Sequence, residues 1–315
     1  MKERLLTSLG LTIVLVLAFV LKIYASAYFF DFFVAVLGLL GGIEIAKVLT
    51  KMGKFNHSEI VGIFPVVLCV ALVLCLFGGL GYYSLLVGLA LVVVFTLGVF
   101  LVDIVFRKQT RKEMRIREEK GSLTKFAFKK AINTMYGFLY PSFLLSTMIL
   151  LNHFEILSSV GDVFPTVSIM TLLFAFLIPI FTDTFAMFTG CLIGGKKLCP
   201  KISPGKTVSG AIGGAVCAVI LCASLFLMFN QIESIAYVLN AVNLGINNIW
   251  KLIIIVLLGS VISQLGDIFE SYLKRRANVK DTGRILPGHG GILDRFDSYI
   301  FLTPYLLVAF LILFI

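Results

Sequence analysis

Nine apolar blocks dominate the chain, at residues 5–21, 28–49, 59–77, 80–102, 132–151, 166–182, 208–229, 249–266 and 298–315. At about 1.5 Å per helical residue, each can cross a hydrocarbon core about 30 Å thick. Backbone N–H and C=O groups cannot be left unpaired in lipid, so only helices or a closed barrel can span it. Blocks this long and continuous exclude the barrel. They predict an all-α polytopic membrane protein of about nine transmembrane helices. Residues 5–21 could instead be the apolar part of a secretory signal, but they carry no convincing small-residue cleavage site, and the next span follows at once. They are read as the first span.

Composition supports the same class. Of 315 residues, 59% are apolar or aromatic and 14% are charged, against about 45–50% and about 25% in soluble domains. The six cysteines form no Cys-x-x-Cys pair and read as small apolar fillers. The 27 Lys and Arg, which with 17 acids give a net charge of +10, follow the loops. With the N-terminus inside, every loop expected to be cytoplasmic is basic, including the one spanning residues 107–130. Only Lys22 and Lys251 fall outside these segments. The positive-inside rule then predicts a cytoplasmic N-terminus and an outward C-terminus. A nucleic-acid partner is not expected, because the cations track the membrane boundary without interleaved aromatic residues.

The first four spans hold few polar residues, whereas the last five are joined by loops rich in Asp, Lys, Gly and Pro. The expected division is therefore an N-terminal four-span region, 1–130, and a five-span core, 131–315, whose cytoplasmic loops 183–207 and 267–297 carry the chemistry. Glu44, preceded by Gly41 and Gly42, is an exception in the first part. An ionisable residue in a span is a functional candidate by default, but Lys47, three residues on, is its expected partner.

Two stretches carry chemistry. If the eighth helix continues beyond the membrane surface, Gln264, Asp267, Ser271 and Lys274 fall on one polar stripe, at i, i+3, i+7 and i+10. The second stretch, Lys280 to Asp297, packs Gly283, Pro287, Gly288, Gly290 and Gly291 into nine residues. Such a sterically bare loop lets backbone N–H groups approach an anion, which suits phosphate. Asp294 and Asp297 open the last span at i and i+3 and can face one point. With Asp267 and Asp281 they suggest a hard cation held by carboxylate oxygens. His289 alone reads first as a loop hydrogen-bonder.

Together these residues resemble the signature of the phosphatidate cytidylyltransferases. The matching positions are Ser271, Lys274-Arg275, Lys280-Asp281, Pro287, His289-Gly290-Gly291, Asp294-Arg295 and Asp297. Gln264 and Asp267 upstream, Ile202-Ser203-Pro204-Gly205-Lys206-Thr207 before Gly210, Asp183-Thr184 and the nine-span layout are also similar to that family. Two positions depart from it: relatives usually carry glutamate where this chain has Ser209, and commonly arginine where it has Cys191.

The resemblance implies an enzyme that transfers CMP from CTP to phosphatidate at the cytoplasmic face of a plasma membrane. It implies Mg2+, with or without a second cation, and suggests a homodimer. Asp267 and Asp294 would be the principal metal ligands, with Lys280 and Asp281 beside them in catalysis. Lys206, Lys274, Arg275 and Arg295 would hold phosphates, Ser203 and Ser271 would donate hydrogen bonds, and His289, Gly290, Gly291 and Asp297 would line the substrate. The nearest rival is a CTP-dependent lipid kinase. A CDP-alcohol phosphotransferase would need an Asp-Gly-x-x-Ala-Arg motif that is absent, and a transporter would place its ionisable residues near the midplane.

Overall fold

The computed structural model describes residues 2–80, 83–116, 121–157, 166–241 and 245–314. The expectations that include Gly81, Tyr82, Arg117, Lys120 and Ile315 lie, for those residues, outside the described ones. Among the described residues, each of the nine apolar blocks falls mainly on helix. In chain order the helices are α1 (Lys2–Tyr24), α2 (Tyr28–Lys51), α3 (Ser58–Phe77), α4 (Ser84–Val105), α5 (Arg107–Ile116) and α6 (Leu123–Gly137). A π-helical turn at Phe138–Phe143 leads into α7 (Leu144–Asn152), followed by α8 (Phe154–Leu157) and α9 (Thr166–Ile193). Strands β1 (Lys197–Cys199) and β2 (Ser203–Thr207) form an antiparallel hairpin pairing Lys197 with Thr207. Then come α10 (Val208–Asn230), α11 (Glu233–Ala241), α12 (Ile249–Arg276) and α13 (Leu293–Phe314).

Among the described residues, eight helical stretches are long and apolar enough to cross a membrane, and the apolar part of α1, Leu9–Tyr24, is shorter. The protein is an all-α integral membrane protein. Its chain forms two compact units. One comprises Met1–Ile13, Phe32–Ser146 and Arg276–Asp294, and the other Val14–Asp31, Thr147–Arg275 and Arg295–Ile315.

In the first unit, small residues set the helix packing. Lipid is as apolar as a leucine side chain, so association relies on close van der Waals contact. Gly38 and Gly42 of α2, four residues apart, lie against α3. A Cβ at Gly38 would come 2.8 Å from the Pro65 Cβ, and one at Gly42 would come 2.7 Å from the Val61 carbonyl oxygen. Gly137 of α6 meets Val61 in the same way. A buried ionic cluster joins the helix ends: Asp103, 4% exposed, pairs with His57 Nε2 at 3.0 Å and Lys130 Nζ at 3.4 Å. Lys130 also contacts Glu113 at 2.8 Å.

The second unit repeats the device. Gly210 and Gly214 of α10 lie against α9, and a Cβ at Gly214 would come 2.9 Å from the Ala186 Cβ. Thr207 caps α10 by accepting the Gly210 N–H at 3.1 Å. Lys22, expected on the outer side, is 8% exposed and donates to Asn152 Oδ1 at 2.7 Å and Ser168 Oγ at 3.0 Å. Asn152 Nδ2 in turn donates to Asp31 Oδ1 at 2.8 Å, and His153 Nε2 lies 2.8 Å from Asp31 Oδ2.

Overpacking a close helix contact costs about 1–3 kcal/mol. Gly214→Leu is therefore expected to lower unfolding stability by that amount in detergent thermal melts. Gly10→Leu, at a position with nothing within 4 Å of an added Cβ, should change it by less than about 0.5 kcal/mol.

Candidate functional site

Helix α12 runs past its apolar block to Arg276, so Gln264, Asp267, Ser271 and Lys274 share the expected stripe. Asp267 forms an ion pair with Lys206 of β2. Ser271 Oγ donates to Asp267 Oδ1 at 3.4 Å, and Lys274 Nζ lies 3.1 Å from Glu270 Oε2. Gln264 Nε2 donates to the Ala211 carbonyl at 3.2 Å, anchoring α12 to the start of α10. Arg275 Nε donates to the Ile202 carbonyl at 3.2 Å and so fixes the hairpin that carries Ser203 and Lys206.

Two further acids belong to this cluster. Asp183 of α9 and Asp297 of α13 lie within electrostatic reach of Asp267, and Asp297 also neighbours Glu270 and Lys274. Among the described residues these interactions join four acids, Asp183, Asp267, Glu270 and Asp297, with Lys206 and Lys274.

Asp281, His289, Gly290, Gly291 and Asp294 belong to the first unit, where residues 277–292 form an irregular loop. Lys280 and Asp281 are exposed. A short bridge pairs Leu286 with Gly290: the Leu286 N–H donates to the Gly290 carbonyl at 2.9 Å, and the Gly290 N–H to the Leu286 carbonyl at 3.1 Å. Gly288 and Gly290 have φ of 71° and 87°, the left-handed region that a side chain would strain. Thr7 Oγ1 donates to the Pro287 carbonyl at 3.1 Å and lies 2.5 Å from His289 Nδ1.

The loop is an anion cradle, as its glycines suggest, but protein carboxylates occupy it. Asp294 Oδ2 accepts the Thr282 N–H at 2.9 Å, the Thr282 hydroxyl at 2.9 Å and the Gly291 N–H at 2.8 Å. Glu44 accepts the Ile292 N–H at 3.0 Å through Oε1 and the Leu293 N–H at 2.8 Å through Oε2. This corrects the expected pairing of Glu44 with Lys47, which is exposed. Asp294 and Asp297, expected to face one point, have separate partners. The position of Ser209 also acquires a role, because its Oγ donates to the Gly194 carbonyl and closes the base of the hairpin loop.

Sequence reasoning missed the partner of Glu44 and gave Asp183 no role of its own. Gly283 and Gly291 carried a signal for the first, because a Cβ on either would overlap the Glu44 carboxylate.

Among the described residues, no group of three or more His, Cys, Asp or Glu side chains is arranged to hold a metal ion. Magnesium needs no such cage, being bound through one or two carboxylates completed by water and substrate phosphate. Asp267, with Asp183, Glu270 and Asp297 beside it among the described residues, offers carboxylate oxygens of the kind such a cation takes. The residues present therefore fit one.

A family model described as "Cytidylyltransferase family" matches residues 2–313. The chain is 46% identical over 137 residues to a phosphatidate cytidylyltransferase of Staphylococcus haemolyticus and 49% identical over 137 residues to one of Staphylococcus saprophyticus. It is also 46% identical over 137 residues to one of Staphylococcus aureus. Each match covers 43% of this chain and 46% of the relative, so the chain spans less than half the length of these relatives.

Side chains in the Lys206–Asp267 pair are 26% exposed, and partly exposed ion pairs contribute about 0.2–1 kcal/mol. Lys206→Ala should therefore lower thermal stability by less than about 1 kcal/mol, measured by detergent melts.

Proposed function

Because the chain belongs to the cytidylyltransferase family, we propose that it transfers CMP from CTP to phosphatidate, giving CDP-diacylglycerol and pyrophosphate. The observation that carries this reading is the 46–49% identity to proteins named phosphatidate cytidylyltransferase. The acid-rich cluster around Asp267, with Lys206 beside it, suits the chemistry. The reaction joins two anions and expels a third, so positioning and charge neutralisation carry most of the catalytic burden.

In the proposed reaction an oxygen of the phosphatidate phosphate attacks the α-phosphorus of CTP in line. A new P–O bond forms, the bond from Pα to the bridging oxygen breaks, and pyrophosphate leaves with that oxygen. The nucleophile is already an anion near neutral pH, so no protein nucleophile is required. Asp267 and Asp294 are the proposed ligands of a divalent cation, taken to be Mg2+ with or without a second cation. When bound, the cation would neutralise phosphate charge. Lys280 and Asp281 are assigned to the same chemistry.

Lys206, Lys274, Arg275 and Arg295 are proposed to bind phosphate oxygens, and Ser203 and Ser271 to donate hydrogen bonds to them. The N–H groups of Gly290 and Gly291 already have protein acceptors. Their contribution, with that of His289, is proposed to be the bare shape of the loop, while Asp297 faces the Asp267 cluster. In this reading the five-span part carries the chemistry, the four-span part shapes the lipid entrance or braces the core, and the site opens on the cytoplasmic side of a plasma membrane. Soluble CTP would then meet a lipid held by its acyl chains. A homodimer is the proposed assembly.

The test uses purified protein with phosphatidate, Mg2+ and CTP labelled separately on the α- and γ-phosphates. Label should pass from the α position into lipid, with γ recovered as pyrophosphate. Transfer of γ label would mean a lipid kinase, and no transfer would defeat the reading. Asp267→Asn and Asp294→Asn are each expected to lower turnover by at least about 100-fold while the protein stays folded. Full activity of either variant at saturating Mg2+ and CTP would remove that residue from the metal site.

A further inference from the structure

In the sequence Glu44 stands out among the N-terminal spans only as an ionisable residue within a span, and in the structure this most deeply buried acid of α2 reaches the loop before Asp294. We propose that Glu44 is the positioning residue of loop 281–294. This inference rests on the proposed reaction and adds to it a residue that acts through Asp294.

The geometry is specific. Glu44 is 1% exposed, and its two carboxylate oxygens are shared among the N–H groups of Ile292 and Leu293 and the hydroxyl of Thr282, the last at 3.4 Å. Leu293 is the first residue of α13. A helix start normally has Ser, Thr, Asp or Asn just before it to accept its orphan N–H groups. Here the preceding residue is Ile292, whose side chain accepts nothing. Glu44, 248 residues away from Ile292 in sequence, supplies the cap from another helix, and the partial positive charge of the helix start offsets its own burial.

Glycines at two positions make room for it. A Cβ at Gly283 would come 2.7 Å from the Glu44 Cδ, and one at Gly291 would come 2.6 Å from it. Both glycines therefore admit the carboxylate of Glu44.

Coupling to the chemistry runs through Thr282 and Gly291. The Thr282 hydroxyl lies 3.4 Å from Glu44 Oε2 and 2.9 Å from Asp294 Oδ2. Gly291, packed on Glu44, gives its N–H to the same Asp294 oxygen. Displacing Glu44 thus turns the carboxylate of Asp294, the proposed metal ligand, without touching it.

The experiment compares full-length wild-type protein, Glu44→Gln, Glu44→Asp and the core variant Leu302→Ala in one detergent. It reads amide exchange across residues 290–294, kcat, KM for phosphatidate and the Mg2+ concentration giving half-maximal turnover. Gln replaces one acceptor with a donor facing an N–H, and Asp is one methylene short. Both should speed exchange at Ile292 and Leu293 at least about tenfold and lower kcat per folded molecule at least about tenfold. They should also raise the half-maximal Mg2+ concentration, with KM for phosphatidate within about twofold. Leu302→Ala should reduce thermal stability and leave kcat per folded molecule unchanged. Wild-type exchange and turnover in Glu44→Gln would overturn the proposal, as would a loss of turnover no larger than the loss of folded protein. If the wild type makes no CDP-diacylglycerol, the functional reading fails, and exchange alone decides whether Glu44 holds the loop.

Discussion

Hydrocarbon offers a backbone no hydrogen-bond partners, and any irregular stretch buried away from water must find them within the protein. Helices answer this internally. Residues 277–292 of this protein are irregular: the N–H groups of Leu286, His289 and Gly290 go to backbone carbonyls, and side-chain carboxylates take four others at the approach to α13, Asp294 those of Thr282 and Gly291 and Glu44 those of Ile292 and Leu293. The shape of the loop therefore depends on two acids, one at its own end and one on α2.

This divides the acidic residues by their partners. Glu44 and Asp294 face backbone donors and are held in fixed orientation by them. Asp183, Asp267 and Asp297 have one another for neighbours, with Lys206 and Lys274 beside them. A carboxylate surrounded by N–H groups keeps a fixed orientation, and a cluster of acids offers oxygens to a cation. The glycines divide in the same manner. Gly288 and Gly290 serve backbone conformation, Gly283 and Gly291 make room for Glu44, and Gly38, Gly42, Gly210 and Gly214 let helices approach.

Much of this was legible in the sequence. The spans could be read because lipid imposes a hydropathy signal on every residue that faces it, and all nine blocks fall mainly on helix in the described residues. The stripe Gln264, Asp267, Ser271 and Lys274 could be read because helical periodicity is local. The partner of Glu44 could not: Lys47, one turn away, was the best local choice, and the true partners lie 238 to 249 residues further on. The amides of the glycine-rich loop were legible as anion-binding, but not the identity of the anion. Nor did Ser209, read as a departure from relatives, reveal that it donates to the Gly194 carbonyl.

The sequence by itself determined an all-α membrane protein and the family to which it belongs, because both follow from patterns within short windows: apolar run length, and a run of residues at fixed spacing. Only the tertiary structure decided which acids hold the loop and which gather with lysines, and that the cap of α13 comes from α2. Those outcomes depend on which backbone donors remain unpaired after the helices have packed, and hydrogen-bond satisfaction is a property of the whole fold.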